Sequence, residues 1–461
     1  MVDRNRRQYS ALLIPGAVLA GVLAAGPVSA ETLSDAFAAA YAANPTLQAE
    51  RANLRATDEE VPQAISGWRP RVTVTGDLGV NLSERRNGAG VRTADTTIPS
   101  TAALTVTQPL YQGGQVTANL ESAEALVRAG RQNLRSTEQD VLLDVVTTFM
   151  DVLQNQAVVK LNFNNEERLR RQLEAARDRF DVGEITRTDV AQAEARLSRA
   201  AADRAQSEGN LIAAKATYAR IVGAVPGDLE PPPPLPALPQ SEEEALAEAF
   251  RANPDLLSII EVAASSKADI RATSGQLLPQ VDLEGSAVHA LDSNAPGDRN
   301  SQLELRGVVT VPLYETGVVY SGVRQLRQVH NQRRMQVEET RRIVAEGVTQ
   351  AWEALVTARS RIQAGREEVR ANEIALEGVI QEAQVGARTT LDVLDAEQEL
   401  LDSQVALVQS ERDEYVAAFQ LLNAVGRLDV VSLGLNVPVY NAGANYNRVR
   451  DLWYGTDGGL D

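Results

Sequence analysis

The stretch "VGEITRTDVAQAE" at residues 182–194 recurs as "VGARTTLDVLDAE" at residues 385–397. Gly183 falls on Gly386, Thr186 on Thr389, Asp189 on Asp392 and Glu194 on Glu397, an offset of 203 residues. Each copy interrupts a long helical pattern. On the near side of the second copy, Val348, Leu355, Ile362, Val369, Leu376 and Ala383 fall seven apart; Leu394, Leu401, Val408, Tyr415 and Leu422 do so on the far side. The first copy has the matching run Val145, Val152, Val159, Glu166, Leu173 and Phe180. A sustained seven-residue period means helices that supercoil around neighbours. No proline occurs from Leu110 to Val225 or from Leu313 to Val437, so each phrase is predicted to be the turn of a very long helical hairpin.

The duplication extends over the whole chain. "LSDAFAAAYAANPTL" (33–47) matches "EALAEAFRANPDL" (244–256), which places Asn44-Pro45 on Asn253-Pro254 at an offset of 209. "WRPRVTVTGDLGV" (68–80) matches "LLPQVDLEGSAVH" (277–289) at the same offset, and "QPLYQGGQV" (108–116) matches "VPLYETGVV" (311–319) at 203. One half therefore carries a longer loop between its paired prolines. The expected organisation is a first repeat at 31–225, a proline-rich strap at 226–241, a second repeat at 242–426 and a tail at 427–461.

Each repeat begins with an expected helix of about 30 residues, 33–66 and 242–276, ended by Pro70 and Pro279. Alternation follows. Val72, Val74, Leu78, Val80 and Leu82 share one face and Thr73, Thr75, Asp77, Asn81 and Ser83 the other; 281–291, the run around Leu104 to Leu110 and the run Leu303 to Leu313 behave likewise. Period two with one apolar face means strands, long enough for the nine to eleven or so residues of a tilted membrane strand. The segments 83–100 and 293–302 are expected as polar turns, giving one β-hairpin per repeat, with Tyr111 and Tyr314 ending the second strands. Four strands cannot close a barrel alone, and open edges are not tolerated in lipid.

Composition narrows the function. Arg4, Arg6 and Arg7 precede an apolar run and a Val28-Ser29-Ala30 cleavage pattern, so residues 1–30 are expected to be a secretory signal, with the mature chain starting near Glu31. The chain has no cysteine and two histidines. This excludes disulfides, thiolate metal sites and a lipid-modified N-terminal cysteine, and leaves little for catalysis. No enzyme chemistry, cofactor or metal centre is expected. The net charge of −17, more acidic still without residues 1–30, argues against nucleic acid as a partner. His289 and Trp352 are expected to be structural, His330 exposed, and Trp68 either interfacial or packed.

At the phrase itself, Gly183 and Gly386 suit a helix C-terminus. Thr186 or Thr188, and Thr389 or Thr390, suit the N-cap of the returning helix, with Asp189 and Asp392 in its first turn. Capping leaves Arg388 and Asp395 without a role.

With its duplicated order of helix, hairpin and long helical hairpin, its paired Asn-Pro sites, "QPLYQGG", "RFDVGEITRTDVAQAEARL" (179–197) and "VGARTTLDVLDAEQEL" (385–400), the chain resembles the TolC-like outer membrane efflux proteins over its whole mature length. The resemblance implies a mainly α fold with a β-barrel part. A homotrimer would close a twelve-stranded transmembrane barrel and continue it as a twelve-helix periplasmic tunnel. It implies an exit duct in the outer membrane of a Gram-negative cell, for a tripartite efflux pump or a type I secretion system. A periplasmic adaptor (membrane fusion protein) would recruit an inner-membrane transporter of the ABC or resistance-nodulation-division type. By resemblance, Asp392 and Asp395 ring the pore constriction, where a cation could lodge; Arg388 latches to Thr188 and Asp189; Gly183 and Gly386 mark the tip turns. A tyrosine expected near Ala383 is absent, so the latch departs from the family's pattern. The rival from another class is a periplasmic coiled-coil scaffold or adaptor without a pore. A plain diffusion porin would need many more strands per chain.

Overall fold

The computed structural model describes residues 31–456 except 87, 91, 294 and 296; the expected signal at 1–30 and the last five residues lie outside the described residues. Helices α1 (Leu33–Ala43), α2 (Pro45–Asp58) and α3 (Glu60–Ile65) come first. The single helix expected over 33–66 is thus broken, and the one over 242–276 is broken likewise. The cause is the Asn-Pro pair. A residue before proline is pushed to extended backbone, and Asn44 sits at φ −61, ψ 123. Its side chain caps α2 by accepting from Thr46 N and Leu47 N, and Pro45 occupies the first helical position, where no N–H is needed.

A one-turn helix, Ser66–Trp68, leads into the strands. These are β1 (Arg71–Leu78), β2 (Asn81–Arg86), β3 (Arg92–Thr97) and β4 (Ser100–Gln112). Part of the expected turn at 83–100 is therefore strand: β2 and β3 pair as a separate antiparallel ribbon beyond β1 and β4. The alternation read over 72–82 enters β2 only as far as Leu82; beyond it the ribbon is polar apart from Ala94, so period alone does not reveal the pairing. The 67-residue α4 (Gln115–Asp181) and α5 (Arg187–Val222) form the first helical hairpin.

The second repeat supplies α6 (Glu242–Ala252), α7 (Pro254–Gly275), β5 (Gln280–Leu291) and β6 (Arg299–Thr310). Its helical hairpin is the 67-residue α8 (Val318–Gln384) with α9 (Thr390–Ala424), and α10 (Ala444–Val449) follows in the tail. At 1.5 Å per residue, α4 and α8 each run roughly 100 Å. Tyr111 is the penultimate residue of β4, but β6 stops at Thr310, before Tyr314. Pro312 has no N–H to give a ladder, and Thr316 and Gly317 then turn the chain through positive φ.

One four-stranded antiparallel sheet runs β1-β4-β5-β6, so β4 and β5 join the two hairpins and β1 and β6 are its edges. Across it, Val74 pairs with Leu104, Leu104 with Ala287 and Ala287 with Leu303. This row belongs to an apolar face left open, with Val74 74% and Leu303 86% exposed. The opposite face carries Thr73, Thr105, Ser286 and Glu304, paired in the same order.

The main core lies at mid-height in the helical part, where Phe37, Phe149, Tyr218, Tyr415 and Phe419 meet. The strap is packed there through Leu229, Leu235 and Leu238, and Tyr415 donates to Pro233 O at 3.1 Å. A second core joins α6, α7, α8 and α9 around Val348, Leu355 and Leu421, with Trp352 packed against it. The asparagines tie each repeat to its own end: Asn44 Nδ2 donates to Ile221 O and Asn253 Nδ2 to Ala424 O. His330, expected to be exposed, is partly covered because α7 lies over α8, and its Nδ1 shares a hydrogen bond of 2.9 Å with Ser266 Oγ. His289, in β5, bonds Ser301 Oγ of β6 at 2.9 Å. Among the described residues no helix is long and apolar enough to cross a membrane.

Candidate functional site

Both helical hairpins turn by the same chemistry. Each long helix ends on a glycine with positive φ, Gly183 at +82° and Gly386 at +77°, a backbone that side-chain-bearing residues rarely adopt. Backbone bonds from Glu184 N to Arg179 O and from Ala387 N to Glu382 O close the helix ends. The returning helices start on capping boxes. Thr186 Oγ1 accepts from Asp189 N, and Asp189 Oδ2 accepts from Thr186 N at 2.8 Å. Thr389 and Asp392 repeat this at 3.2 and 2.8 Å. Of the candidate caps, Thr186 and Thr389 hold the position, and Thr188 and Thr390 do not. These bonds hold the Asp392 carboxyl below its usual range, with nearby Arg388 adding a smaller push.

The turns differ in what surrounds the boxes. Arg388 donates to Glu382 Oε2 at 2.9 Å, and this pair holds its guanidinium proton more tightly than usual. Within one chain the expected latch from Arg388 to Thr188 and Asp189 is not made, because Glu382 lies closer along the same turn and Asp189 is engaged in its capping box. Thr188 is exposed.

Asp395 is no free carboxylate. It accepts from Arg196 Nη2, so α9 of the second hairpin is ion-paired to α5 of the first. Two residues on, Glu397 is buried between hairpins, with Gln172 Nε2 3.5 Å from Oε1 and no partner for Oε2. Burial pushes its carboxyl above the usual range, against the pull of Arg168, Gln172 and Arg171. Sequence reasoning used Glu397 only as a mark of the repeat and missed Arg196. Beside them, Gln172, Ala175, Ala176, Ile380, Ala383 and Thr390 line a groove of about 270 Å³. It lies where the tyrosine expected near Ala383 is absent.

The outer membrane efflux protein pattern matches residues 37–224 and 245–427, one match to each repeat. The chain belongs to the outer membrane efflux protein family. The outer membrane efflux protein BepC of Brucella suis biovar 1 is 37% identical over 448 residues, 97% of this chain and 95% of the relative. The outer membrane protein TolC of Vibrio cholerae is 25% identical over 424 residues, 89% of this chain and 95% of that one. Among solved structures, the Campylobacter jejuni CmeC outer membrane channel has the same fold at a TM-score of 0.77 and 13% identity, covering 96% of this chain and 98% of that one. As an outer membrane efflux protein, the chain is an outer-membrane channel whose helical part extends into the periplasm. Its relatives are channel proteins rather than enzymes.

Proposed function

We propose that three copies of this chain form a passive exit duct gated at the helical turns. The observation that carries the reading is the sheet. It has two open edges, β1 and β6, and one exposed apolar face, and it leads directly into α4 and α8. Pairing β6 of one copy with β1 of the next would close twelve strands and satisfy every edge in lipid. The helices would then continue as a twelve-helix tunnel, with the repeats 31–225 and 242–426 alternating around it, the strap 226–241 girdling its middle, the tail from 427 running from there toward the sheet rather than around the middle, and the leader 1–30 removed on export.

At the tip, Asp392 and Asp395 stand three residues apart on α9, which places them on neighbouring positions of one helix face. Three copies would give two stacked rings that favour cations: Asp392 supplies the acidic charge that can hold a divalent ion in the closed state, and Asp395 adds to it as its contact with Arg196 opens. Arg388 of one copy would latch to Thr188 and Asp189 of the adjacent outer hairpin, trading its Glu382 contact for them. A periplasmic adaptor and an inner-membrane transporter would supply opening, energy and choice of cargo. The names of the relatives, which join efflux to the outer membrane, support this role.

The test is conductance of purified protein in a planar bilayer, with Asp392 and Asp395 intact or replaced by Ala, and heat-modifiable trimers sought in the outer-membrane fraction. A small cation-selective current, blocked by divalent ions and relieved by the Ala changes, is expected. Folded protein that forms neither trimers nor current would favour the pore-less scaffold.

A further inference from the structure

The C-terminal segment leaves the main core and climbs toward the sheet. Its contacts on α4 move steadily upward: Val430 N donates to Glu138 at 3.3 Å, Tyr446 stacks on Arg131, and Arg450 pairs with Glu124 at 3.6 Å. From residue 138 to residue 124 is roughly 21 Å along the helix. Asn445 Nδ2 pins the segment by donating to the buried Asp58 at 2.9 Å, and Arg51 is sandwiched between Tyr41 and Tyr440. The climb ends at the residue that precedes β1 by two positions: Arg69 Nη1 donates to Leu452 O at 2.6 Å, and its guanidinium lies 5.0 Å from the Trp453 ring centre.

Apart from that contact of Trp453 with Arg69, the next two side chains are left open. Trp453 is 64% exposed and Tyr454 90% exposed. They lie at the helix-proximal end of the sheet, the end marked by Trp68 before β1, Tyr111 near the end of β4 and Tyr314 beyond β6, all exposed. Gln108 Nε2 of β4 holds the Trp68 carbonyl at 2.8 Å, so this end is tied together. The apolar outer face begins one step further on, at Val72 and Val74. Large amphipathic rings beside arginines, at the rim of a lipid-facing surface, are the chemistry of a membrane–water interface.

We propose that Trp453 and Tyr454 are an interfacial anchor, seated among the phospholipid headgroups of the periplasmic leaflet of the outer membrane. This aromatic end, stapled to Arg69, fixes the height of the barrel in the bilayer. Continuity with the exposed apolar strands selects lipid as the occupant. The inference rests on the barrel reading above and deepens it.

The test uses single-tryptophan proteins in vesicles of phosphatidylethanolamine and phosphatidylglycerol doped with phosphatidylcholine brominated high on its chains. Trp68→Phe with Trp352→Phe leaves Trp453 as the reporter. Replacing all three tryptophans by Phe and adding Leu305→Trp gives a reporter on the outer face of β6. Both emissions are expected to fall, that of Trp453 because the shallow bromine depth matches an interfacial ring. Quenching at Leu305→Trp without quenching at Trp453 overturns the anchor. So does a Trp453 shielded from both brominated lipid and aqueous acrylamide, which would place the tail between subunits. Quenching at neither position overturns the barrel reading itself. If the multiple replacements do not assemble, Trp453→Phe alone in the native chain serves: the lipid-quenchable part of the emission should drop, and an unchanged part overturns the proposal.

Discussion

Replacing Arg196 by Ala should loosen the gate and sharpen its preference for cations. The side chain of Arg196 is 31% exposed and that of Asp395 53%, so water screens the pair substantially. Such a pair holds by about 1 kcal/mol at most. If three subunits move together, three copies amount to roughly 3 kcal/mol, and at 1.4 kcal/mol per tenfold the closed-to-open ratio changes about 100-fold. If each moves alone, the change is about fivefold per subunit. Open fraction in planar bilayers should therefore rise for Arg196→Ala and for Asp395→Ala. The two variants should part in selectivity. Arg196→Ala frees a carboxylate for the pore and raises cation preference, whereas Asp395→Ala removes that carboxylate and lowers it. The double variant should open no further than either single one, since both break the same contact. Open fractions that match the native channel in Arg196→Ala, or effects that simply add in the double variant, would refute the pair as a restraint on the gate.

Glu397→Gln should be neutral or stabilising by roughly 1 kcal/mol at neutral pH, because the buried carboxylate has an oxygen without a partner. A carboxyl with a raised folded pKa carries its burial penalty above that pKa and loses it as pH falls below the unfolded value. The native thermal midpoint should thus gain on acidification across that window, and the variant should not show the gain; a lower midpoint for the variant at every pH would mean that Arg168 outweighs burial. Ala383→Tyr should fill the groove between the hairpins and reduce the open fraction, with unchanged gating as the contrary result. Thr389→Ala should cost the second turn about 1 kcal/mol by removing its cap, seen as faster amide exchange over 386–393 with α8 unchanged.

The long hairpins and the strands with one apolar face were legible because each rests on a period: seven for Val348 to Leu376, two for Val72 to Leu78. Features carried by single residues were read less well. Asn44-Pro45 and Asn253-Pro254 served as marks of the duplication, yet the same pair is a sharp helix stop, with extended backbone forced before proline and an amide ready to cap. The ribbon of β2 and β3 was hidden because, beyond Leu82, it is polar apart from Ala94 and continues no period. His330 looked exposed among Arg, Gln and Asn, and only the approach of α7 gives it Ser266. At the turns, period and capping chemistry explain Gly183, Gly386, Thr186, Thr389 and both first-turn aspartates. They are silent on Asp395, whose partner sits 199 residues away.

That partner had a signal, and it lies in how the repeats diverge. Asp395 stands where the first repeat has Gln192, and Arg196 stands where the second has Glu399. Each substitution alone looks like drift on a solvated helix face. Together they place opposite charges on the two faces that meet when α9 lies beside α5. Arg388 against Ile185 is a third difference at the same height, while Glu397 keeps the residue of Glu194 in other surroundings, buried where Glu194 is exposed and paired with Arg177. The backbone of the two turns is kept almost identical, down to the 2.8 Å bonds of their capping boxes. Of the diverged charges, Arg196 and Asp395 meet across the hairpins, whereas Arg388 stays on Glu382 of its own hairpin. Two hairpins with identical surfaces would have no reason to move differently. On the gate proposed above, charges that differ between otherwise equal turns would let one hairpin be held and the other released, which is the asymmetry that a gate built from a duplicated chain requires.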